Sequence, residues 1–88
     1  MADDPRIHFQ AEYLTGVHLV RSGWAALAVN DHDHCEFCGA TFSTSEVDGR
    51  PIHLREGWAT PDGENWICDR CFDDFHERFA WVVDVPSA

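Results

Sequence analysis

Eighty-eight residues, of which 44% are hydrophobic including four Trp and six Phe, make a chain that folds but lies near the lower size at which apolar burial alone suffices. Six Lys+Arg against sixteen Asp+Glu give a formal charge of -10, a field that repels phosphate backbones and makes nucleic acid a poor partner. Every cation is an arginine, and Arg6, Arg21, Arg50, Arg55, Arg70 and Arg78 are scattered rather than gathered on one face.

Residues 1–5 are polar and end in Pro5, as a frayed terminus does, and residues 6–85 are expected to form a single domain. Ile7, Phe9, Ala11 and Tyr13 alternate with polar neighbours, the period of a half-buried strand. Thr15-Gly16 signals a turn, and Val17–Val20 is the expected return strand of a hairpin. Ser22 is placed to cap a short helix over about residues 23–30, with Trp24, Leu27 and Ala28 on one apolar face. This strand and helix, residues 6–33, precede a core at 34–83.

Residues 43–51 collect turn formers and are expected to form a loop. Residues 52–60 and 64–67 flank Pro61-Asp62-Gly63, where proline presets one turn position and glycine accepts a positive φ, so a β-hairpin is expected. Trp58 and Trp66 either pair across it or anchor separate parts of the core. From Cys68 onward, a step of about 100° per residue aligns Phe72, Phe75, Phe79 and Val83 on one helix face, with Pro86 marking its end. A helix of that length points Trp81 away from the stripe, leaving it either an exposed anchor for a partner or packed beneath the N-terminal hairpin.

Two C-x-x-C pairs, Cys35/Cys38 and Cys68/Cys71, supply the four ligands that tetrahedral zinc takes, because two intervening residues let the backbone curl beneath the ion. One structural Zn2+ is the expected cofactor; an iron site with the same ligands and a dithiol redox pair are the other readings. The first pair is followed by Gly39, as a tight knuckle requires, while the second enters a helix whose first-turn N–H groups are expected to favour thiolates. Knuckle, hairpin and helix resemble a treble-clef zinc finger across residues 34–83, with a zinc ribbon the near alternative; Phe72 stands where a ribbon has its second glycine. DHDHCEFCGATF together with WICDRCFDDF is also similar to small bacterial proteins with paired C-x-x-C motifs, a likeness that implies no activity.

Asp31-His32-Asp33-His34 alternates carboxylate and imidazole, the composition of a second metal site or a pH-sensitive patch, although such a segment is more often a solvated helix exit. His76 lies at the edge of the Phe stripe and is read as a helix-surface or core-edge residue, while His8, His18 and His53 carry no signal. His34-Cys35-Glu36 with Cys68-Asp69-Arg70-Cys71 resembles the zinc deaminase signature, but Ile67 stands where that pattern has proline, and Cys38 loses its role there. A fully thiolate-ligated zinc leaves no position for water, so no enzymatic role is expected.

The chain has no basic segment leading an apolar run and no membrane span, so it is expected to be cytoplasmic, where paired cysteines hold metal rather than form disulfides. The favoured expectation is an acidic protein-interaction module with a protein partner, a basic one in particular. An inhibitor or immunity-type protein occupying a basic cleft is the alternative, and nucleic-acid binding comes third. The sequence leaves the oligomeric state open.

Overall fold

The computed structural model describes residues 5–7, 13–25 and 31–84. Among them are eight short strands and one helix with both ends described, a small mixed α+β architecture. Strand β1 (His18–Gly23) lies at the centre of the main sheet. It pairs antiparallel with β6 (Glu56–Ala59) and parallel with β8 (Val82–Asp84), and β6 pairs in turn with β7 (Trp66–Ile67), giving the order β7-β6-β1-β8.

The strand at 18–23 extends beyond the expected Val17–Val20 and takes in Ser22 and Gly23, so Ser22 is a strand residue and not a helix cap. Its ladder with β6 sets Ser22 opposite Gly57, and that inter-strand pairing overrides the local capping preference. The rest of the expected helix, 26–30, and residues 8–12 of the expected first strand lie outside the described residues, as do 1–4 and Pro86. Tyr13 is helical rather than extended.

Two two-stranded ribbons leave the sheet. β2 (Asp33–His34) and β3 (Thr41–Phe42) enclose the first cysteine pair. β4 (Glu46–Val47) and β5 (Arg50–Pro51) replace the expected loop at 43–51 with a hairpin. Its two-residue turn is Asp48-Gly49, both at positive φ (53° and 76°), the primed geometry that matches the twist of paired strands.

In the β6–β7 hairpin, Gly63 N–H donates to Thr60 O at 2.8 Å around Pro61 and Asp62, and Gly63 takes φ +74° as the Pro-Asp-Gly sequence predicts. Strand pairing begins only at Glu56, so residues 52–55 lie outside β6. The register sets Trp58 opposite Ile67 and Trp66 opposite Ala59, putting the two tryptophans on opposite faces. Trp58 stacks on Phe72 at 4.1 Å between centroids, and Trp66 packs on Phe42 at 5.2 Å. They are separate anchors, not a cross-strand pair.

Helix α1 spans Asp69–Phe75, far short of residue 83. One more turn follows, with Phe79 N–H donating to Phe75 O at 3.0 Å. It closes through Ala80 N–H to Glu77 O and Trp81 N–H to His76 O, both 3.2 Å, around Ala80 at φ 51°. That bond pair is a Schellman closure, here with alanine where glycine is usual. The chain then reverses into β8, so Val83 belongs to a strand and is exposed.

Trp81 is consequently buried, at 8% exposure, and its indole N–H donates to Leu14 O at 2.7 Å. Phe37, Phe75, Phe79 and Trp81 form one aromatic cluster, the Phe37 ring lying 5.0, 5.3 and 5.6 Å from the other three. Among the described residues, no helix is long and apolar enough to cross a membrane.

Candidate metal centre

The first cysteine pair sits in the turn between β2 and β3. Cys35 N–H donates to Ala40 O at 2.7 Å and Gly39 N–H to Cys35 O at 3.0 Å, while Gly39 adopts φ +77°, a conformation that costs glycine nothing. This is a tight knuckle presenting two thiols. The second pair straddles the start of α1, with Cys68 as N-cap residue in extended conformation and Cys71 in the first turn.

Strand β7 brings the pairs together. Cys35 bridges Trp66, Glu36 N–H donates to Trp66 O at 2.9 Å, and the Cys68 N–H points at Cys35 Sγ, 3.4 Å away. All four sulfurs lie within 4.8 Å of one another, and Cys38 Sγ is 3.6 Å from Cys68 Sγ. With zinc–sulfur bonds of about 2.3 Å, the edges of a tetrahedral thiolate set measure roughly 3.8 Å, so these sulfurs need only small shifts to enclose such an ion. The thiols are not joined in disulfides. Cys35, Cys68 and Cys71 are buried and Cys38 is exposed, a closed group with one edge toward solvent.

Electrostatics within the group are unfavourable until a cation arrives. Burial pushes the Cys68 thiol up to about 11, with the neighbouring Cys35 adding to the shift and a hydrogen bond from the Cys71 backbone opposing it. Burial and the charge of Cys35 likewise raise Cys71 well above the ordinary thiol range. A first-turn N–H group does act on the Cys68 thiolate in the expected direction, but desolvation outweighs it. At Cys38 burial also opposes ionisation, but hydrogen bonds from the Ala40 backbone and the other three thiols outweigh it and lower the pKa. Arg6 places its guanidinium 3.6 Å from Cys71 Sγ, one local cation against the cluster of sulfurs.

Phe37, between the two cysteines of the knuckle, was missed in the sequence as a structural residue. It is buried and ties the knuckle to α1 through Phe75. Arg21 was missed too: it makes a two-pronged ion pair with Asp69, one contact at 3.2 Å, fastening the central strand to the first turn of α1. That hydrogen-bonded pairing raises the arginine's pKa further.

His34 and His76 stand outside the sulfur group. The Nδ1 of His34 is 3.3 Å from Thr41 Oγ1, and the exposed His76 ring stacks on Phe72 and lies 3.2 Å from Phe72 O. Cys38 joins the other three thiols, which the deaminase reading does not accommodate. His32, His34 and His53 instead line one cavity; the last of these carried no sequence signal. Comparison with protein-family models, curated proteins and solved structures found no match. Fold and site thus define a small mixed α+β protein with a four-cysteine cluster suited to a zinc-like ion.

Proposed function

We propose that this chain is a zinc-stabilised protein-interaction module of treble-clef type, without enzymatic activity. The observation that carries the reading is the grouping of Cys35, Cys38, Cys68 and Cys71 within 4.8 Å. Four thiolates complete the tetrahedral shell of zinc, leave no site for water or substrate, and so give the ion a fastening role. The order of knuckle, β6–β7 hairpin and helix supports a treble clef; in a ribbon the second pair would also occupy a knuckle.

Function then passes to the surface. With Trp81 inside the core, the apolar contact moves to the β4–β5 arm and its base, where Val47, Ile52 and Leu54 are 56%, 51% and 39% exposed beside Glu46 and Asp48. An apolar patch edged by both signs of charge, with Arg50 opposite Val47 and Glu46 paired with Arg55, on a chain of charge -10 suits a protein partner whose contact face is apolar at its centre. Metal analysis is expected to return one zinc per chain, with sulfur alone around it by X-ray absorption; nitrogen in that shell would overturn the closed site. Affinity capture with the wild-type chain and with a Val47→Asp/Ile52→Asp variant of equal melting temperature tests the arm. A partner lost only from the variant supports it, and equal recovery removes it.

Ion pairing favours one alternative, an acidic inhibitor that fills a basic cleft. Among the described residues, Arg6 pairs with Asp74, Arg21 with Glu56 and Asp69, and Arg55 with Glu46, so at least three of the arginines are already neutralised within the chain. The same pairing weighs against nucleic-acid binding. An acidic mimic loses affinity steeply from low to physiological ionic strength, whereas an apolar arm contact changes little.

A further inference from the structure

The four thiols are not equally placed. Cys35, Cys68 and Cys71 are buried, and Cys38 alone among them is exposed. It opens onto a cavity of about 410 Å³ lined also by Pro5, Arg6 and Arg70. A small solute reaches this sulfur from outside, whereas the other three lie behind it. Across the cluster, Cys38 Sγ is 3.6 Å from Cys68 Sγ, a thiol of the other pair. An S–S bond measures about 2.0 Å, which leaves roughly 1.6 Å to close, a displacement on the scale of a side-chain rotation.

We propose that Cys38 is an oxidation site for a small peroxide, and that its oxidation links it to Cys68, releasing the ion while the knuckle stays fastened to α1. The inference rests on the cysteine cluster holding zinc, which keeps all four sulfurs as thiolates, the nucleophilic form. The Cys38 thiolate attacks one peroxide oxygen: an S–O bond forms, the O–O bond breaks, and the other oxygen leaves as hydroxide, which a solvent proton converts to water. Arg6 and Arg70 flank the cavity, so the negative charge on the departing oxygen develops beside two guanidinium groups. The Cys68 thiolate then attacks the Cys38 sulfur, forming the S–S bond and expelling the remaining oxygen as hydroxide, which a second proton converts to water. In sum, one peroxide accepts two electrons, one from each sulfur, and two protons, giving a disulfide and two waters.

The choice of partner thiol decides the outcome. A link within Cys35/Cys38 or within Cys68/Cys71 leaves the two pairs unconnected once the ion is gone. A Cys38–Cys68 link joins positions 30 residues apart, one in the knuckle and one at the N-cap of α1, the same two parts the ion fastens. Cys35 and Cys71 then remain as two ligands, too few for a tetrahedral shell, so the metal leaves.

The test treats the zinc-loaded full chain with hydrogen peroxide and reads metal release with a chromophoric chelator, disulfides by peptide mapping and folding by thermal melt. Zinc release in step with a predominant Cys38–Cys68 disulfide is expected, with a cooperative melt kept in the oxidised, metal-free chain and zinc binding restored by dithiothreitol. Cys38→His keeps a zinc ligand and removes the exposed thiol, so release should slow by about tenfold or more. Mapping on the wild-type chain decides the link even where that variant fails to fold. The proposal falls if peroxide leaves zinc in place, if the links form within the C-x-x-C pairs, if release abolishes the melt, or if Cys38→His loses zinc as fast as wild type. A chain that holds no zinc before peroxide is added overturns the metal reading itself, a result distinct from all of these.

Discussion

Phe37 shows how one side chain can join two constraints. Its backbone belongs to the metal knuckle and its ring to the aromatic cluster of α1, so the ligand turn is positioned by packing as well as by coordination. Phe37→Ala is expected to cost about 3–5 kcal/mol in urea unfolding of the zinc-loaded chain, as large core truncations do; a loss below about 1 kcal/mol would show that the ion alone sets the knuckle. Ala80 points the other way. Held at φ 51° by the closure after α1, it carries the left-handed penalty of a side chain, and Ala80→Gly should raise stability by about 1 kcal/mol, read as a higher melting temperature. The four cysteines were legible because their spacing is itself the ligand geometry. Neither Phe37 nor Ala80 was, since the middle positions of C-x-x-C are chemically free and nothing about alanine announces a helix stop. Without such a stop, the Phe periodicity ran on through Trp81 to Val83 and left Trp81 open between a surface anchor and a core residue, where the structure buries it.

At the scale of elements, the β6–β7 hairpin delivers Cys68 to the knuckle, and Gly57 sets how closely its strands approach. A Cβ there would lie 2.8 Å from Ile67 O and 2.8 Å from the Phe42 ring. The carbonyl belongs to the partner strand and has no room to yield, so Gly57→Ala should destabilise by about 1–3 kcal/mol and weaken zinc binding with it. Equal unfolding midpoints for variant and wild type would show that β7 can move away without loss. Pro61-Asp62-Gly63 made this turn readable, because each residue fits one backbone position. Asp48-Gly49 carried an equally good hairpin signal, but it sat among polar neighbours that read as a loop. The pairing of β1 with β6 and β8 was not legible at all: partners so distant in sequence are chosen by packing, which no local pattern records.

Across the molecule, the two buried thiols decide how metal and protons compete. Cys68, pushed up to about 11, and Cys71, raised further, keep their protons at neutral pH in the metal-free fold, and metal binding must displace both. Zinc affinity should therefore climb as pH rises from 6 to 8, by about a hundredfold per unit for two protons released, and fall by the same factor on acidification. Competition with a chromophoric chelator at several pH values measures the slope; a slope below about two protons would remove one of these thiols from the ligand set. Complete chelation is expected to abolish the cooperative thermal transition, because the knuckle and α1 are then held by the aromatic cluster and a few backbone contacts to Trp66 and Cys68 in place of the metal bonds.

The parallel pairing of β1 with β8 has a consequence during biosynthesis. His18 meets Val82 and Val20 meets Asp84, so the outer strand cannot join its neighbour until residues 82–84 have cleared the ribosomal exit tunnel. The nascent polypeptide must wait with that edge of its central strand unpaired, and the emergence of residues 82–84, rather than early hairpin formation, times the completion of the sheet.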